Sequence, residues 1–197
     1  MRDPKVFGIG LSRTGTRSLT VALNHLGVRV EHFPCDPLIL TELIRGQFEL
    51  TILKTHDGIS DTPAVPYYPD FDRIYPGSKF ILTVREKQSW LSSVEKHWNR
   101  FEFVGPESPD APFWKHYASF IHCCVYGCHG FNRERFSHVY DVHEENVRRY
   151  FRDRPDSLLV MDICAGDGWE TLCPFLGVAT PAHPFPAISA FAPPSPA

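Results

Sequence analysis

The segment Gly10-Leu-Ser-Arg-Thr-Gly-Thr-Arg-Ser18 concentrates glycines, hydroxyls and arginines in nine consecutive positions. Glycine permits the tight turn such a segment needs, and the run Lys-Val-Phe-Gly-Ile-Gly before it reads as a short strand. Apolar residues resume at Leu19, Leu23 and Leu26 with helical spacing. A loop between a strand and a helix presents the first helical N–H groups to whatever anion lies there, so Ser12, Arg13, Thr14, Gly15, Thr16, Arg17 and Ser18 are candidate anion ligands. The spacing Gly10 to Gly15 imitates the triphosphate motif G-x-x-x-x-G-K-[ST], but Thr16 stands at the lysine position and Arg13 supplies a cation inside the loop. Taken alone, the segment is equally a turn whose Ser, Thr and Gly only cap a helix.

A second group follows the strand-like run Lys79-Phe-Ile-Leu-Thr-Val, which ends in Arg85, with Ser93 eight residues on. Arginine's planar fork suits bidentate phosphate contacts, and the carboxyl edge of a parallel sheet is where α/β ligands bind. The plain alternatives are a surface arginine and a solvent-facing serine. His122-Cys-Cys-Val-Tyr-Gly-Cys128-His129 carries metal-ligand residue types, yet its spacing fits no standard zinc knuckle and no second ligand pair matches it. It reads as core cysteines with edge histidines, and no metal is expected. Tyr140 and His143 read as packing residues that could also line a cleft.

These groups need a scaffold, and the rest of the chain spells one out. Helices are expected near Pro37 to Arg45, Asp61 to Tyr75, Ser89 to Trp98, Phe113 to Tyr126, Asn132 to Arg152 and Asp167 to Leu176. Strands are expected at Val28 to Val30, Leu50 to Lys54, Lys79 to Val84 and Leu158 to Met161. Strand and helix alternate, which predicts an α/β fold: a three-layer, phosphate-loop-type arrangement with a mostly parallel central sheet flanked by helices. With 197 residues, no internal repeat and no interior linker, one domain over 1–180 is expected, followed by an irregular Pro/Ala-rich tail over 181–197.

Composition removes several function classes. Twenty basic against 23 acidic side chains leave a net charge of -3, which argues against nucleic-acid binding. No run approaches the ~20 apolar residues of a membrane span. Six cysteines without an export signal read as reduced thiols, and a cytoplasmic location is expected.

Gly10 to Leu19, Lys79 to Val94 and Leu158 to Gly177 together resemble the phosphate-loop sulfotransferases, specifically a bacterial and fungal branch. The resemblance runs from Val6 to Phe185. It implies that the first loop grips the 5′-phosphosulfate of 3′-phosphoadenosine 5′-phosphosulfate (PAPS), and that Arg85 and Ser93 grip the 3′-phosphate. Arg13 occupies the place of the lysine that better-known members use on the bridging oxygen. The implied reaction is in-line transfer of a sulfuryl group to a hydroxyl of a small-molecule or glycan acceptor, without a metal. Leu53-Lys-Thr-His56 resembles the Lys-Thr-His run in which histidine is the base, a residue type suited to that work. Asp57 and Asp61 compete for the role, because this branch has an acidic residue just after, followed by an Asp-x-Pro turn. Asp61 also reads as a helix N-cap. After Pro184-Phe-Pro186 the branch usually has an asparagine, where this chain has Ala-Ile-Ser. The competing classes are a small-molecule or nucleoside kinase, which would need a loop lysine and a magnesium-holding acidic strand end, and a non-catalytic nucleotide-binding protein of the same fold.

Overall fold

The computed structural model describes residues 2–98 and 111–188. Five short strands, β1 (Val6–Gly8), β2 (Val30–His32), β3 (Gly58–Ser60), β4 (Lys79–Thr83) and β5 (Leu158–Met161), form one sheet in the order β2-β3-β1-β4-β5, and every pairing is parallel. Val6 lies opposite both Gly58 and Lys79. The helices are α1 (Thr16–His25), α2 (Pro37–Ile44), α3 (Ala64–Ile74), α4 (Lys87–Trp98), α5 (Ala111–Tyr126), α6 (Arg133–Tyr150) and α7 (Trp169–Leu176).

Side chains of a strand alternate between faces, and this alternation divides the core. Phe80 and Leu82 join Phe7, Ile9, Phe71, Ile121 and Val147 under α3, α5 and α6. Ile81 turns the other way, toward Leu19, Leu23, Met161 and Leu172 under α1 and α7. The Phe7 ring is stacked between Phe71 at 4.9 Å and Phe80 at 5.3 Å. A third cluster, with Leu11, Trp90, Leu91, Val94, Tyr126, Phe136 and Tyr140, packs α4, α5 and α6 against the loop after β1. The result is the expected three-layer α/β arrangement. Among the described residues no helix is long and apolar enough to cross a membrane.

Two expectations shift. The segment read as a strand near Leu50 to Lys54 is a 3-10 helix, Thr51–Lys54, and the strand is Gly58–Ser60. Leu50 and Leu53 are both buried because they recur on one side of a turn, Leu53 N–H donating to Leu50 O, rather than because they alternate. The true strand, Gly-Ile-Ser, carries one large apolar residue and so leaves almost no periodic signal. The second strand is Val30–His32 rather than residues 28–30, since Val28 belongs to the turn that closes α1. Residues 181–188 lie in no helix or strand, but they are packed: Trp169 Nε1 donates to His183 O at 2.8 Å and Phe185 lies 4.8 Å from the Trp169 ring. Residues 189–197 of the expected tail fall outside the described residues.

β1 lies between β3 and β4, and the chain leaves it first toward β2 and β3, then returns to its other side as β4. The carboxyl ends of β1 and β4 therefore form a topological switch point, the place where sheets of this class bind ligands.

Candidate functional site

The loop after β1 closes at this switch point. Gly10 passes so near β4 that a Cβ there would sit 1.9 Å from Thr83 Oγ1, so only glycine fits. Arg13 and Gly15 both have positive φ, 78° and 98°, and between them curl the backbone so that α1 begins directly at the loop. No side chain caps α1. The loop hydroxyls are occupied within the protein. Thr14 Oγ1 donates to Leu11 O (2.7 Å) and shares a hydrogen bond with Thr83 Oγ1 (2.6 Å). Ser12 and Thr16 both donate to Asp61, at 2.6 and 2.7 Å, and Ser18 Oγ accepts the Ile188 N–H at 3.0 Å. The loop thus offers a ligand its helix N-terminus and its arginines.

Arg85, just past β4, reaches the same place. Its Nη1 donates to the Arg13 carbonyl at 3.3 Å and its Nε to Ser89 Oγ at 3.0 Å. Ser93 pairs instead with Arg13, whose Nε donates to it at 3.3 Å. The structure therefore brings Arg85 and Ser93 to one site but gives Ser93 to the other arginine. Burial, with Arg85 beside it, draws the Arg13 pKa below its ordinary value, though a guanidinium stays charged at neutral pH. Arg13, Arg17 and Arg85 line a cleft of about 520 Å³ together with Gly15, Ser18, Ile163 and Phe185. Asp167 also borders it, but its Oδ2 accepts the Asp162 N–H at 2.6 Å. Three cations around a helix N-terminus make a site for a ligand with several negative charges.

The whole of this arrangement lies within residues 5–191, which match the family described as Sulfotransferase domain. The chain belongs to that sulfotransferase family. It is 28% identical over 215 residues to "Ava biosynthesis cluster protein M" of Aspergillus versicolor, with 93% of this chain and 80% of that protein covered. The crystal structure of a sulfotransferase from Alicyclobacillus acidocaldarius matches it with a TM-score of 0.59 at 16% identity, covering 93% of this chain and 85% of that one. At that identity the likeness establishes the fold.

In this sulfotransferase the three residues considered as a base part company. His56 and Asp57 lie where the chain enters the sheet: Lys5 Nζ donates to His56 O, the Val6 N–H donates to Asp57 O, and Asp57 Oδ2 accepts the Arg29 N–H, each at 2.9 Å. They are at the opposite edge from the loop, with the length of β3 between, on the order of 13 Å from Asp57 to Asp61 at ~3.3 Å per residue. His56 and Asp57 thus brace strand ends and are removed from the site. Asp61 is at the correct edge, 3% exposed, its N–H donating to Gly8 O at 3.0 Å. It does not cap α3, which begins at Ala64 after Pro63. At the start of α4, Glu86 accepts the Gln88 and Ser89 N–H groups.

Three residues on distant helices also hold the site. Trp90 Nε1 donates to Ser12 O at 3.0 Å from α4. His143, on α6, faces Ile9 O at 2.7 Å through Nε2, which must therefore carry the proton; burial lowers its pKa and keeps the ring neutral. Tyr140 OH accepts the Arg85 N–H at 3.2 Å and donates to Arg85 O at 2.5 Å. The sequence reads Tyr140 and His143 as packing residues, and both are packed, as is Trp90; Trp90 and His143 support the segment after β1, and Tyr140 fixes the Arg85 backbone. In the middle segment the His122 and His129 rings lie 5.8 Å apart, and the Cys124 thiol receives the Tyr67 hydroxyl at 3.2 Å. Among the described residues no group of three or more His, Cys, Asp or Glu could hold a metal ion, and all six cysteines are free.

Proposed function

We propose that the protein transfers a sulfuryl group from PAPS to a hydroxyl of a small-molecule or glycan acceptor. The observation that carries this reading is the cleft between the uncapped start of α1 and the end of β4, where Arg13, Arg17 and Arg85 meet. PAPS supplies a sulfuryl group on a phosphate leaving group, and its several negative charges fit three cations and a helix N-terminus. Arg85 is suited to receive the 3′-phosphate, with its backbone fixed by Tyr140. Arg13, steadied through Nε by Ser93, keeps its terminal nitrogens for the bridging oxygen, where charge develops as the S–O bond breaks. The amides of Gly15 to Ser18 hold the 5′ end. Ile163 and Phe185 border the cleft and give the nucleoside an apolar wall.

Residues 1–180 act in this reading as one unit, with the segment after it completing the cleft wall. The six thiols suit the reducing cytosol.

Thermal shift with 3′-phosphoadenosine 5′-phosphate (PAP) against ATP with magnesium tests the donor assignment. PAP should stabilise the protein and ATP-magnesium should not. A kinase would give the opposite, but it needs a cation where Thr16 stands, and the Thr16 hydroxyl is bound to Asp61. A protein that binds PAP yet never turns over PAPS would be the non-catalytic alternative.

A further inference from the structure

We propose that Asp61 is a positioning residue that clamps the two halves of the anion loop. Its Oδ1 accepts the Ser12 hydroxyl (2.6 Å), the Thr62 N–H (2.8 Å) and the Thr62 hydroxyl (3.3 Å); its Oδ2 accepts the Thr16 hydroxyl (2.7 Å) and lies 3.5 Å from His32 Nε2. A carboxylate has about four lone-pair sites, so five partners leave none for an acceptor hydroxyl. Asp61 is therefore not the base. Ser12 precedes the first positive-φ residue of the loop and Thr16 follows the second, so one side chain ties down both sides of the turn. His32 closes the arrangement through its 3.1 Å contact with Thr16 Oγ1.

The carboxylate's position has a cost that only a positioning role offsets. Asp61 itself has a positive φ of 66°, where glycine would be easier. Its negative charge lies under a loop built to receive anions, and Coulomb repulsion from it weakens their binding. Burial alone would raise its pKa, but the His32, Ser12 and Thr16 contacts reverse that and hold it below the ordinary carboxylate range. The group stays charged, and it accepts hydrogen bonds that a neutral side chain would not hold as firmly.

This opposition of signs makes the test. If the charge mattered only through its field, Asp61→Asn would tighten PAP binding; the clamp requires it to weaken binding about ten- to a hundredfold by calorimetry. Thr16→Val should weaken it similarly, and Thr16→Ser should restore it. Combining Asp61→Asn with Thr16→Val should be little worse than Asp61→Asn alone, because both break the same Asp61–Thr16 contact. Hydrogen exchange of the amides from Leu11 to Ser18 reads the clamp without any ligand: faster in Asp61→Asn and Thr16→Val, unchanged in Thr16→Ser. The inference rests on the PAPS reading for its catalytic meaning only. Failure of the wild type to bind PAP would overturn that reading, while loop exchange would still decide the clamp. Should Asp61→Asn not fold, the Thr16 pair carries the test. Equal or tighter PAP binding in Asp61→Asn, or loop amides that exchange at wild-type rates in both weakening variants, would overturn the proposal.

Discussion

Replacing Arg85 with alanine separates the two ends of the donor. The backbone at 85 is held by Tyr140 from both sides, through the N–H and the carbonyl, and alanine keeps those bonds. What is removed is a half-buried guanidinium that lines the cleft, together with its 3.3 Å donation to Arg13 O. A charge-assisted contact is worth about 1.5–3 kcal/mol, and each 1.4 kcal/mol is tenfold, so PAP should bind about ten- to a hundredfold more weakly. Relief of repulsion on Arg13 offsets part of this, which favours the lower end. Titration calorimetry with PAP and with adenosine 5′-phosphate is the assay. The variant should lose affinity for PAP and much less for the ligand lacking the 3′-phosphate. The salt dependence of PAP binding should also become shallower. Equal losses for both ligands would move Arg85 to the 5′ end, and no loss for either would remove it from the site.

Arg13→Ala should lower turnover on the order of a hundredfold or more with a much smaller loss of PAP affinity, while Arg13→Lys keeps much of the rate, as steady-state kinetics beside calorimetry would show. His56→Ala should leave both PAP binding and turnover close to wild type in the same assays, because that residue braces a strand end away from the cleft. Asp57→Asn should cost roughly 1 kcal/mol in urea unfolding, through its bond to the Arg29 N–H, without changing turnover. Asp61's lowered pKa contributes stability that is complete above about pH 4 and is lost as pH falls through the folded value; Asp61→Asn should flatten that acid limb in denaturation measured across pH.

Where the sequence was legible, a local pattern coincided with a physical need. The glycines at 10 and 15 are demanded by Thr83 and by a positive φ, and the run Phe80-Ile-Leu is continuously apolar because its strand is buried on both faces. The loop and Arg85 were therefore readable together. The base was not, because Leu53-Lys-Thr-His56 matched a motif while its position depended on where β3 begins. That strand, Gly58–Ser60, is three residues long and nearly featureless; starting it eight residues later than Leu50 carries His56 from one sheet edge to the other. Asp61 showed a side chain suited to capping, but its partners Ser12 and Thr16 lie 49 and 45 positions away. Trp90 and His143 likewise reach the segment after β1 across 78 and 134 positions, and Tyr140 reaches Arg85 across 55, distances over which no spacing rule operates.

The most direct test follows the sulfur of labelled PAPS. The protein would be incubated with it and a mixture of phenols, aliphatic alcohols and sugars, and both the organic products and released PAP would be measured. Label should move to an organic acceptor in step with PAP release, and with Arg13→Ala, which still binds PAP, it should do so at least about a hundredfold more slowly. Label that stays on PAPS in a protein to which PAP does not bind, or that leaves equally fast with Arg13→Ala, would contradict it.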